Sequence, residues 1–269
     1  MVLPGYINAA ASQGAASDLE TIQDWFDNGG AIDDVDSEGF TILTMSILFE
    51  SIEVLKWAIS RGASVNNIGD PPLFTTIAAD SKEFILDAAS VLLDAGAHIN
   101  AATSARTYGS YIAGETALSY AIDWLRRDSD DDAEKALACV SLLLRRGARL
   151  DDCWGGRMSA EDCLRHVEDP IAFERRFPGL QGCYAITRPP TTIKAQVTAC
   201  KKLIADERRR RYMLPRRAFL RLRLLALRGR AKPAGPILSS VVRLPNELTW
   251  HILSFWPAEA PPPTPSPRS

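Results

Sequence analysis

Along the first 150 residues, apolar side chains recur in short helical runs separated by glycine-bearing turns. Val54, Leu55, Ala58 and Ile59 share one face at helical spacing, and the same pattern returns in Val91, Leu92 and Leu93 and again in Val140, Leu142, Leu143 and Leu144. A shorter run precedes each: GFTILTMSIL (39–48), PPLFTTIAA (71–79) and GETALSYAI (114–122). The periodicity predicts an all-α chain built of helix pairs.

The turns that close these pairs resemble one another. NGGAIDDVD (28–36), SRGASVNNI (60–68), DAGAHINAA (94–102) and RRGARLDDC (145–153) align on Gly30, Gly62, Gly96 and Gly147, which are 32, 34 and 51 residues apart. A glycine just past a helix C-terminus accepts the left-handed conformation without a Cβ penalty. Repetition of this kind predicts a solenoid, in which each unit touches only its neighbours.

These units resemble ankyrin repeats, whose pattern is Gly-x-Thr-Pro-Leu-x-x-Ala-Ala, a second helix, and Gly-Ala-Asp-x-Asn. The best match runs from Gly39-Phe40-Thr41-Ile42-Leu43 to Arg61-Gly62-Ala63-Ser64-Val65-Asn66, with Ile42 in place of the turn proline. Another unit matches through Gly114, Thr116, Leu118 and Ala121, is preceded by a long finger (101–113), and inserts RRDSDDDAEK (126–135) between its helices. A weaker first unit carries Ala10, Ala11, Leu19, Ile22 and Trp25, and GRMSAEDCLRH (156–166) resembles the opening of a truncated last one. The resemblance covers roughly residues 4–168 and implies an all-α ankyrin-repeat solenoid that binds protein partners. It places the contact positions at Ser37, Glu38, Phe40, Leu48 and Phe49, and at Ile112, Ala113, Glu115, Asp123 and Trp124. Phe49 and Trp124 are the expected anchors, because aromatic side chains dominate interface hot spots.

The net charge of −2 conceals a division: residues 1–150 carry 22 acidic and 10 basic side chains, whereas residues 200–232 carry 2 acidic and 13 basic. An irregular linker or cap is expected at 169–190, followed by a basic helical arm at 191–232. In the arm, Thr191 or Thr192 caps a helix with Ile193, Val197, Cys200 and Ile204 on one face, and Pro215 breaks or restarts it. Leu220, Leu224 and Leu227 line one side. The basic patch comprises Arg208, Arg209, Arg210, Arg211, Arg217, Arg221 and Arg228. Docking on the acidic repeats, nuclear import and anion or nucleic-acid binding are the open readings, nucleic acid being the weakest for lack of interleaved aromatics.

Residues 244–256, LPNELTWHILSFW, resemble the opening of an F-box, and short segments of this kind follow ankyrin repeats in poxviral ankyrin proteins. The resemblance implies that Leu244, Pro245, Leu248, Ile252, Leu253, Phe255 and Trp256 bind the small linker adaptor of an SCF-type ubiquitin ligase, making the chain a substrate receptor. A full F-box continues with further helices, whereas here a proline-rich tail (258–269), expected to be disordered, follows at once. The alternative is a scaffold whose last helix (241–257) packs on its own chain.

No catalytic constellation or phosphate-binding glycine loop is legible, so no enzyme and no cofactor are expected. DSDDD (128–132) lacks the Gly and Glu of a calcium loop. Cys153, Cys163, His166 and Cys183 fit no established zinc spacing, and the five cysteines read as reduced thiols. With no run of ~20 apolar residues and no basic-then-apolar start, a cytoplasmic or nuclear monomer is the expectation.

Overall fold

Short hydroxyl side chains start most of the helices. Thr41 caps the helix at Ile42–Leu48 by accepting a hydrogen bond from the Thr44 amide at 3.2 Å. Ser81 does the same for Lys82–Asp94 through Phe84 at 3.2 Å. Thr116 and Ser119 form a reciprocal capping box before Ala117–Asp123, as do Ser159 and Asp162 before Ala160–Glu168. The computed structural model describes residues 3–13, 16–66, 71–104, 114–127, 129–151, 153, 158–169, 194–213, 219–220 and 224. Its α-helices are α1 (Gly5–Gln13), α2 (Ala16–Asp27), α3 (Ile42–Leu48), α4 (Ile52–Ser60), α5 (Pro72–Ile77), α6 (Lys82–Asp94), α7 (Ala117–Asp123), α8 (Asp130–Arg145), α9 (Ala160–Glu168) and α10 (Lys194–Arg208). Among the described residues there is no strand, only one isolated antiparallel bridge between Ala102 and Thr116, and no helix long and apolar enough to cross a membrane.

Helices pair in sequence order, α1 with α2, α3 with α4, α5 with α6 and α7 with α8. The first members stack in one row, α1–α3–α5–α7–α9, and α4, α6 and α8 stack in another. The fold is therefore the all-α ankyrin solenoid that the repeats imply. Its core runs between the rows: Ile42, Leu43 and Ile47 from α3, Val54, Leu55 and Ala58 from α4, and Ala88 and Leu92 from α6 are all buried. The chain divides into two compact units, Met1–Lys201 and Lys202–Ser269, with the boundary inside α10.

One hydrogen bond recurs between successive fingers. The Ser64 amide donates to Asp33 Oδ1 at 2.9 Å, the His98 amide to Asn66 Oδ1 at 2.7 Å, and the Arg149 amide to Asn100 Oδ1 at 2.8 Å. Asn66 also donates from Nδ2 to the Gly96 carbonyl at 3.0 Å. His98 thus joins the finger through its backbone amide.

This ladder corrects the register of the first turn. Left-handed backbone occurs at Gly29, Gly62, Gly96 and Gly147, with φ of 98°, 87°, 89° and 100°. Gly29, not Gly30, is the helix-ending glycine of the first repeat, and the interval to Gly62 becomes 33 residues. Gly30 occupies the position that Ala63, Ala97 and Ala148 hold elsewhere, each donating its amide back to the last turn of the preceding helix. Any side chain there meets the indole at once, since a Cβ would lie 2.3 Å from Cε2 of Trp25 and the ring would have to shift.

The 126–135 insertion is also largely helical. After a 3₁₀ turn at Trp124–Arg126, Ser129 caps α8, and Asp130, Asp131 and Asp132 occupy its first turn, where the helix dipole favours anions. The extra residues lengthen α8 at its N-terminus and bring in Lys135, whose buried Nζ donates to the Asp80 carbonyl at 2.7 Å.

Two substitutions test this account. Asn66→Ala removes both finger hydrogen bonds and is expected to destabilise the chain by about 1–2 kcal/mol, read as a lower urea midpoint, with Asn66→Asp recovering part of the loss. Gly30→Ala, a nominally helix-favouring change, is expected to cost about 1–3 kcal/mol by displacing Trp25; a neutral result would refute the close packing.

Candidate functional site

The finger before α3 is a built turn. Asp36 Oδ1 accepts from the amides of Glu38 at 2.8 Å and Phe40 at 2.9 Å, and Gly39 takes φ 91° to close the loop. Beyond it, α3 turns Ile42, Leu43 and Ile47 into the core and ends at Leu48. Glu50 then adopts φ 56°, a left-handed conformation that L side chains rarely take. Its carboxylate holds it there, with Oε1 accepting from the amides of Asp80 at 2.6 Å and Ser81 at 3.0 Å. The result is an outward-facing pair, Leu48 at 47% and Phe49 at 52% exposure.

Below this pair lies a hollow of about 420 Å³ lined by Asp36, Ser37, Glu38, Phe40, Met45, Leu48 and Phe49. The five contact positions expected in this repeat, Ser37, Glu38, Phe40, Leu48 and Phe49, are thus brought together around one concavity. Sequence reasoning missed Glu50, whose role depends on a backbone angle and on a partner 30 residues away.

The second group of expected contacts is corrected. Trp124 is 2% exposed and Glu115 1% exposed, so neither is a surface contact. The 3₁₀ turn rolls the Trp124 ring inward against Tyr120, centroids 5.8 Å apart, with the Arg127 guanidinium 4.1 Å and Lys135 Nζ 4.4 Å from its ring centroid. Glu115 is held in the finger, where its amide donates to Thr103 Oγ1 at 3.1 Å. Asp123 turns to a buried ion pair with Arg126 at 3.0 Å. Ile112 and Ala113 lie outside the described residues.

His166 completes that buried cluster, with Nδ1 3.7 Å from Asp123 Oδ1 and Nε2 3.4 Å from Arg126 Nη1. Burial, reinforced by the Arg126 charge, pushes the His166 pKa down to about 4. Burial raises the carboxyl pKa of Asp123 against the lowering influence of Arg126 and Arg127. The thiols of Cys153 and Cys163 are buried, and the Cys163 pKa is raised by its hydrogen bond to Cys153 and by burial. Cys139 and Cys200 are pushed up to about 12 by burial. Among the described residues no group of three or more His, Cys, Asp or Glu side chains is placed to hold a metal ion; Cys183 lies outside them.

In the basic arm, α10 buries Val197, Cys200 and Ile204 along one face, while Thr191, Thr192 and Ile193 lie outside the described residues. Glu207 gathers the arginines that follow: Arg210 Nη2 at 2.6 Å and Arg211 Nε at 2.5 Å both donate to its carboxylate, whose pKa is held below the usual range chiefly by Arg210. Arg209 is exposed and Arg208 half-buried. Two of the four consecutive arginines thus share one carboxylate, which offsets one of their two charges, a pairing legible in the i+3 and i+4 spacing. Arg217, Arg221 and Arg228, Pro215 and Leu227, and the segment from Leu244 and Pro245 through Leu248, Ile252, Leu253, Phe255 and Trp256, lie outside the described residues.

The His166 environment sets a pH dependence. An imidazole with a folded pKa near 4 and an unfolded value near 6.5 lets the unfolded chain bind the proton first, so stability falls as pH drops from about 6.5 to 4. The raised Asp123 acts oppositely, in a window that begins above its ordinary 3.8. His166→Gln is expected to flatten the loss between pH 6.5 and 4 in denaturant titrations, and an unchanged slope would show that the imidazole is not held neutral.

No curated protein matches the chain. Residues 7–59 match the family described as ankyrin repeats (many copies), a span that takes in α1 to α4 and the hollow beside α3 but none of residues 244–256. Ankyrin repeats, which serve as a protein–protein interaction module, are therefore present at residues 7–59 of this chain.

Proposed function

We propose that the chain is a substrate receptor of an SCF-type ubiquitin ligase, holding a target protein on the α3 face and the linker adaptor on residues 244–256. The observation that carries the target-binding half is the exposed Leu48 and Phe49 pair over the hollow, within the span that matches ankyrin repeats. Two large apolar side chains held outward on pinned backbone lose little conformational freedom on binding, which favours them as anchors. The adaptor-binding half is supported by the register of Leu244, Pro245, Leu248, Ile252, Leu253 and Phe255 with the F-box opening.

Titration of the full chain with the small linker adaptor of SCF ligases tests the reading. A Kd on the order of 1 μM or tighter is expected, lost in Leu248→Asp/Phe255→Asp and retained in Leu48→Asp/Phe49→Asp. Failure of the folded chain to bind leaves an interaction scaffold with no ligase link.

A further inference from the structure

We infer that the partner segment taken by the hollow beside α3 is a basic amphipathic peptide, with arginine or lysine residues interleaved among large apolar side chains. This rests on the interaction reading above and adds the chemistry of the partner.

The acidity of the repeats is concentrated at their N-terminal end. Residues 1–100 carry 15 acidic and 3 basic side chains, whereas residues 101–150 carry 7 of each. Residues 1–66 hold just two cations, Lys56 and Arg61. Both belong to α4 and its C-terminal turn, and both are engaged there. Lys56 lies 3.6 Å from Glu53, and Arg61 lies 3.6 Å from Asp27 while covering the rings of Phe26 and Trp57. Among the described residues no lysine or arginine lines the hollow, whose rim carries Asp36 and Glu38. The Glu38 side chain is exposed and makes no hydrogen bond or ion pair with any described residue.

The surface therefore presents two demands side by side. Leu48 and Phe49 favour an apolar occupant, and the carboxylates around them favour a cationic one. An acidic segment would be repelled by these carboxylates, and a purely apolar one would desolvate the exposed Glu38 side chain. A segment of mixed basic and apolar character satisfies both.

A random peptide library is panned on the full chain and counter-selected on Leu48→Glu/Phe49→Glu. That variant alters only exposed side chains, and its circular dichroism and urea midpoint are expected to match the parent. The expected outcome is enrichment of Arg or Lys with Leu, Phe or Ile. The Kd of a selected peptide should weaken roughly five-fold or more between about 0.05 and 0.5 M salt. Glu38→Lys should weaken the same peptide about three-fold or more, while Glu53→Lys on α4 leaves it nearly unchanged. Enrichment of acidic or uncharged apolar peptides that still discriminate parent from variant would overturn the inference and leave the interaction reading standing. Absence of any discriminating sequence would bring down both. Self-association of the full chain that the variant abolishes would assign the face to a second copy and likewise overturn the inference.

Discussion

Each finger in the stack takes an oxygen from the one before it, and that exchange sets the geometry on which the other contacts depend. Asp33, Asn66 and Asn100 each accept the amide two residues beyond the next repeat's left-handed glycine. At an exposed turn such an amide could bond to water with little loss, so each bond is worth only about 1 kcal/mol in stability. Its larger effect is positional. By fixing finger against finger it fixes the offset at which α3, α5 and α7 meet and at which Leu55, Ala88 and Leu92 close the core. A solenoid has few long-range contacts to correct an error of register, so a local bond repeated at each junction does that work.

The fourth helix pair shows what happens when a longer connection is added to this frame. Among the described residues, Trp124–Arg126 form a 3₁₀ turn directly after α7 and α8 begins at Asp130, with Trp124, Arg126 and Lys135 buried. Burial of those cations is tolerated because each has an acceptor in place, Asp123 for Arg126 and the Asp80 carbonyl and Asp132 for Lys135.

Much of this was legible in the residues. The helix pairs follow from the spacing of apolar residues and the unit from Gly39 to Asn66 from its resemblance to an ankyrin repeat, and Ile42 fills the first helical position of α3 without the usual proline. What sequence could not supply is where a side chain turns when two choices are sterically open. Gly29 and Gly30 are indistinguishable in the sequence, whereas in the fold Gly29 is the left-handed one and Gly30 the one whose Cβ would meet the Trp25 indole. Trp124 reads as an anchor until the turn after Asp123 proves to be 3₁₀ and rolls it inward. The repeat resemblance names five of the residues around the hollow beside α3, and the lining residues all come from one stretch, 36–49, so no distant partner has to be inferred.

Glu50 has a mechanical side. Its backbone stands immediately after Phe49 in a conformation that an L residue leaves readily, and its carboxylate is clamped to the amides that open α6. The backbone that carries the aromatic ring is therefore tied, through one side chain, to the start of the next repeat's long helix. The α3 face is thus anchored in two repeats at once, its own and the one that follows.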